Sequence, residues 1–401
     1  MSYFFSNPKL TNDVHLITQD DINMMNREND KDIAECNMIT QSSYKGENFY
    51  GITGNFLLDF FNEVLYRDAK TDGFMRGIPM HGVIIKQAER NHYYRGENQI
   101  YPSSLPSLNR KLNMINNEEE RKLYKIIADM RIYEFKKFLF TFEHVQFWHK
   151  NYGDVLFESL AQHYGFPTHW LDITNDFMCA LFFATCYYDC DKKRWNPLTK
   201  KQTEICENKK YGMIFHIPRW KADTNLYTKY GFSNNLNDKS NIILPIGFQP
   251  FRRCHMQYGY GIYMPEDSPL QSDIYFEKLK FRHDEKLSEE IFNKMDDGKL
   301  IYPHEGLTEL NDIICQIINT TKFSEESFEY AFQNNTNFND KSKCRLLLEQ
   351  YGNKNIVIGN EQSFSLSKEQ CIKIDKLYEG FTLEKDYGIN ITKRLIYRPP
   401  N

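Results

Sequence analysis

The stretch that most constrains this chain is Phe177 to Tyr188, FMCALFFATCYY, in which nearly every position is apolar. A helix written this way offers no polar face to water, so it must be buried on most sides of a core. It is too short to cross a bilayer. The residues before it set how the chain enters that core. Ser159 to Tyr164 reads as the end of a helix, Gly165 suits the left-handed residue that terminates it, and Pro167 prevents its continuation. Thr168 to Ile173 then reads as a short extended segment, with Thr174 or Asn175 capping the buried helix and Asp176 in its first turn. Gln162, His163, Thr168, His169 and Asp172 are thereby held between two helices, which suits the rigid floor of a ligand site.

Around this centre the chain of 401 residues exceeds what one hydrophobic core usually serves. A hydrophobic content of 41% with 26% charged residues excludes wholesale disorder. The net charge of -4 gives no global attraction for nucleic acid or anionic membrane. The start MSYFFSNPKL lacks the basic region and apolar run of a signal peptide, and no later segment reaches spanning length, so a soluble cytoplasmic protein with no membrane partner is expected. Nine cysteines without a secretion signal argue for reduced thiols.

Along the chain, residues 1–45 read as an arm or accessory helix. Asn48 to Lys70 carries apolar residues at helical spacing and predicts a helix. His81 to Lys86 and His92 to Tyr94 predict strands, the second ending at Gly96. Glu118 to Phe138 predicts a long helix, and Phe140 to Leu160 predicts further helix broken near Tyr152 and Gly153. The polar run from Asp189 to Lys210 predicts an exposed loop before the strand Gly212 to Ile217. Asn241 to Pro245, Gly259 to Met264 and Tyr275 to Phe281 predict strands. Helices are expected over Leu287 to Asp297, Leu307 to Asn319, Ser324 to Phe332 and Cys344 to Gln350. Two closing strands are expected over Asn355 to Ile358 and Ile389 to Tyr397.

Among the chemistry-bearing residues the sharpest pair is Arg95-Gly96. A strand ending in aromatic, Arg and Gly presents a guanidinium, a natural fork for phosphate, where glycine permits close backbone approach by a ligand. A surface arginine before a turn is the competing reading. No P-loop, G-x-S-x-G elbow or H-E-x-x-H motif occurs, and the cysteines lack zinc-ligand spacing, so no metal is expected.

Four segments carry a family resemblance. LAQHYGFPTHWLDITND resembles the signature of the FRG domain, a family named for an aromatic-Arg-Gly motif. That motif is present upstream as YYRGEN, followed by YPSSLPSLNR, which is similar to the family's next run. RCHMQYGYGIY places Arg253, Gln257 and Gly259 at the family's Arg-x-x-x-Gln-x-Gly spacing, and LIYPHEGLTEL is similar to its last motif. His169, Ile173 and Asp176 stand where the family usually has Arg, Trp and Pro. The resemblance runs from Asn91 to Leu310 and implies an N-terminal arm (1–45), an FRG domain (46–320) and a C-terminal α/β extension (321–401).

In its aromatic-Arg-Gly strand the family is also similar to one class of ADP-ribosyltransferases. The resemblance therefore implies an α+β fold, a mixed or antiparallel sheet flanked by helices. It also implies an NAD-using ADP-ribosyltransferase or NAD-cleaving effector, with a toxin or anti-phage role. NAD would be the substrate, and the acceptor, protein or nucleic acid, stays open. Such chemistry needs a clamp on the pyrophosphate and a carboxylate facing the ribose. Arg95 and Glu305 are the expected catalytic pair, although Glu305 also reads as a helix-start acid serving the macrodipole. Gly96, Glu97, His163, Tyr164, Thr168, Asp172, Arg253 and Gln257 are the expected binding residues. The alternative is a non-catalytic module that senses a nucleotide or binds nucleic acid.

Overall fold

A computed structural model of the chain describes residues 13–42, 63–68, 71–78, 82–86, 90–219, 221, 242–264, 267–335, 338–351, 356–359 and 364–380. A short strand, Val14–Leu16 (β1), and a helix, Gln19–Ser42 (α1), come first. Glu63–Asp68 (β2), Thr71–Ile78 (β3) and Gly82–Lys86 (β4) then form a small antiparallel sheet of their own. His92–Glu97 (β5) leads into the helices Ser107–Leu112 (α2), Glu118–Leu139 (α3), Glu143–Asn151 (α4) and Phe157–His163 (α5). Trp170–Thr174 (β6) and the buried helix Phe177–Thr185 (α6) follow, then a hairpin of Cys186–Asp189 (β7) and Arg194–Pro197 (β8). Next come Tyr211–Pro218 (β9), Ile242–Pro245 (β10), Arg252–Met256 (α7), Gly259–Tyr263 (β11), Glu277–Arg282 (β12), Glu285–Lys294 (α8) and Asn311–Asn319 (α9). The C-terminal part holds Lys322–Ser324 (β13), Glu325–Asn334 (α10), Lys341–Glu349 (α11), Val357–Gly359 (β14) and Lys368–Lys376 (α12).

The central sheet has seven strands in the order β1-β12-β9-β5-β6-β11-β10. Only β1 runs parallel to its neighbour, so the architecture is mixed α/β with a mostly antiparallel sheet flanked by helices. The N-terminal arm thus contributes an edge strand, with Val14 opposite Lys278. Helix α6 packs on β5 and β9, and its Phe177 and Phe182 join Ile214, Leu279 and Phe281 in one core. On the other face Tyr93, Leu171, Ile173, Phe215 and Ile262 form a second core. Helix α3 shares its Leu123, Ile126 and Met130 with Phe323, Phe328, Leu348 and Ile358 of the C-terminal part.

Three local expectations change. Asp176, not Thr174 or Asn175, is the cap of α6: its carboxylate accepts from Cys179 N at 2.8 Å, while Thr174 Oγ1 accepts from Asp176 N. The helix stops at Thr185 because Cys186–Asp189 pairs with Arg194–Pro197, so the polar run read as a loop contains a hairpin strand. Within Asn48 to Lys70, the described residues 63–68 are strand β2 rather than helix, with Asp68 opposite Thr71. Periodicity is local, and cross-strand pairing overrides it. The remainder of that predicted helix and the strand expected over Ile389 to Tyr397 lie outside the described residues.

Candidate functional site

The site begins at a split in the sheet. Strands β5 and β6 are paired only through Tyr94 opposite Thr174. Beyond that pair β5 stays on β9 as far as Glu97, and β6 stays on β11 back to Trp170. Arg95 crosses the opening: its Nη1 donates to the backbone oxygen of Asp172 at 2.7 Å and its Nε to Glu97 Oε1 at 2.9 Å. Glu97 in turn accepts from Ser104 Oγ through Oε2 at 2.7 Å, so the guanidinium is braced at both ends. Bracing of this kind removes the rotamer freedom that a ligand would otherwise have to restrain.

A cleft of about 1500 Å³ opens over this split. That exceeds the roughly 300–1,000 Å³ of ordinary small-molecule pockets. Arg95, Gly96, Glu97, His163, Tyr164, Asp172, Arg253 and Gln257 all line it. Thr168 and Glu305 do not. Thr168 is fully buried, donating to Gln162 Oε1 and accepting from Trp170 N, which shapes the turn behind the wall.

Glu305 caps the one-turn helix Gly306–Glu309. Its carboxylate accepts from Tyr164 Oη and, at 2.6 Å, from Arg252 N. Burial raises its pKa above the ordinary carboxylate value, while these donors and Arg253 oppose the shift. Both oxygens therefore serve the fold.

Gly96 also has a different reason from the one its motif suggests. A Cβ there would lie 1.7 Å from the backbone oxygen of Ala180, so the close approach is made by helix α6 rather than by a ligand.

Arg253 is the second cation of the wall. Its guanidinium lies 4.3 Å from the ring centre of Tyr164 and 4.4 Å from that of Tyr302, and its Nη1 donates to His163 O at 2.8 Å. Burial works against the charge, but the two tyrosines and Glu305 outweigh it and hold the pKa above normal. Its buried Nε has no acceptor among the described residues. Gln257 is occupied by structure, donating through Nε2 to Ile301 O at 3.0 Å.

His163 closes helix α5 with its imidazole buried, and Asp172 stands beside it on β6. Burial lowers the pKa of His163, opposed by Asp172 and reinforced by Arg253. The imidazole is therefore neutral at pH 7.

The sequence reading missed the aromatic part of the lining. Tyr187, Tyr188 and Trp195 on the β7–β8 hairpin, together with Tyr302, line the cleft with aromatic surface. Gly298, at φ +85°, packs where a Cβ would come within 3.1 Å of Trp195, which seats the hairpin against the turn after α8. A tryptophan inside an otherwise charged run was the available signal. Asp297, Lys299, Glu309 and Asp312 make the rim mixed in charge.

Comparison with known proteins gives one match. The FRG domain family model matches residues 90–193. The chain carries an FRG domain. The match takes in the Arg95-Gly96 strand, Asp172, the buried helix and the first strand of the aromatic hairpin. Arg253, Gln257 and Glu305 lie beyond it, so the cleft joins the FRG domain to residues that follow it in the chain. No curated protein and no solved structure matches the chain. No helix among the described residues is long and apolar enough to cross a membrane.

Proposed function

We propose that the cleft binds NAD or a closely related dinucleotide and breaks its nicotinamide–ribose bond, passing ADP-ribose to an acceptor or to water. One observation carries the reading. Two guanidinium groups, Arg95 and Arg253, are held by backbone carbonyls on the wall of one large cleft. Such pre-ordered forks suit a pyrophosphate, and the aromatic hairpin lining the same cleft suits a flat base. In the reaction the C–N bond breaks with its electron pair leaving on nicotinamide. Positive charge then spreads over C1′ and the ring oxygen, and the acceptor adds at C1′ and releases its proton to solvent. The wall residues would fix the phosphates and place negative charge near that carbon. Consumption of NAD or modification of a target is how such a protein would act as a toxin or anti-phage effector.

A second reading, binding without turnover, is favoured by the engagement of both Glu305 oxygens in the fold. A polyanion fits less well, because Asp172, Asp297, Glu309 and Asp312 line the same cleft. Radiolabelled NAD incubated with the purified protein and candidate acceptors tests the reading. Release of nicotinamide is expected from the wild type, with NAD binding weakened at least about 10-fold by Arg95→Ala. Calorimetric binding without product would support the sensing module, and no binding at millimolar NAD would remove both.

A further inference from the structure

The His163–Asp172 pair carries an inference that rests on the dinucleotide reading and deepens it. His163 Nε2 and Asp172 Oδ1 are 3.8 Å apart, and neither atom has a hydrogen-bond partner among the described residues. That spacing is too long for a hydrogen bond, and a small rotation about either side chain closes it. The imidazole is 3% exposed and the Asp172 side chain 37% exposed. Because Oδ1 is itself buried, the exposure of Asp172 falls on the rest of the side chain, which lines the cleft. One carboxylate oxygen thus faces a buried ring and the other faces the cleft.

The contrast with the neighbouring acids is informative. Glu97 braces Arg95 and Glu305 joins Tyr164 to Arg252 N, so their oxygens are taken up by the fold. Arg95 and Arg253 bind the backbone oxygens of Asp172 and His163, leaving the Asp172 carboxylate outside both contacts. A carboxylate kept out of the surrounding hydrogen bonds, yet carried on a cleft wall, is built to take a donor from a ligand.

We infer that Asp172 is the carboxylate that meets the substrate. Its cleft-facing Oδ2 accepts the 2′-hydroxyl of the nicotinamide ribose, and His163 acts as its positioning residue by donating from Nε2 to Oδ1 when the ligand draws the pair together. A sugar hydroxyl bound to an ionised acid in this way contributes about 10- to 100-fold in affinity.

Calorimetry with NAD and with NAD lacking that 2′-hydroxyl tests the inference on wild type, Asp172→Asn, His163→Gln and Glu305→Gln, each checked for wild-type circular dichroism. Wild type and Glu305→Gln should lose about 10- to 100-fold on removal of the hydroxyl. Asp172→Asn should bind both ligands alike, and His163→Gln should lose most of the discrimination while binding the deoxy ligand as wild type does. Asp172→Ala replaces the Asn variant if the latter does not fold. Full discrimination in the Asp172 variant, or its loss in Glu305→Gln, overturns the inference and leaves the dinucleotide reading standing. Failure of the wild type to bind NAD overturns both.

Discussion

Substituting Gly96 by alanine tests why this strand needs glycine. The added Cβ would sit 1.7 Å from Ala180 O, 2.7 Å from Ala180 C and 3.0 Å from Ala184 N, all backbone atoms of α6. No side-chain rotation can relieve such a clash. Ordinary contact begins near 3.4 Å, so strand and helix would have to separate by something approaching 1.7 Å. Overpacking that side chains can absorb costs about 1–3 kcal/mol. Here the layers themselves must part, loosening the core around Phe177, Phe182 and Ile214, and we expect roughly 3–5 kcal/mol. The loss should appear in urea unfolding as a lower midpoint at unchanged slope, and in heat unfolding as a fall of about 4–6 °C. Gly359→Ala is the control, because nothing lies within 4 Å of its Cβ position; its effect should stay within about 0.5 kcal/mol. Wild-type stability in Gly96→Ala would refute the packing argument and return this glycine to the ligand.

Other consequences can be checked by the same unfolding measurements. Burial pushes Glu158 up to about 7, with Asp129 adding to the shift, and pushes Asp129 up to about 6 against the opposing hydrogen bond from Asn335 and charge of Lys125. The folded state therefore holds protons that the unfolded chain has released, and stability should fall as pH rises from about 4.5 through 7. Glu158→Gln should stabilise the protein at pH 8 by up to about 3 kcal/mol and leave pH 4 unchanged; an equal gain at both would refute the assignment. Arg90 pairs with Asp176 at 2.5 Å, and both side chains are 9% exposed. Arg90→Leu should cost about 3–5 kcal/mol by stranding that carboxylate. Adding Asp176→Asn, which keeps a cap for Cys179 N, should recover part of the loss, and a purely additive double variant would contradict this.

How far the sequence reached depends on the range of the interaction involved. Strand β5, helices α3, α5 and α6 and the turn at Gly165, with φ +90°, were legible because apolar spacing and turn chemistry act within a few residues. Arg95, His163, Asp172 and Arg253 were singled out through their motifs, and all four line one cleft. What those residues do was not legible. Glu305 looked available until Tyr164 and the backbone of Arg252 were seen to occupy it, and Gly96 looked like a ligand's approach until α6 was placed against it. The aromatic hairpin was hidden because its pairing partners lie within a charged stretch with no period of its own. Local pattern determined which segments become strand or helix, since backbone geometry and burial of one face are short-range matters. Only tertiary structure decided which acids the fold engages, because that depends on register between strands and on donors distant in the chain, which no local pattern records.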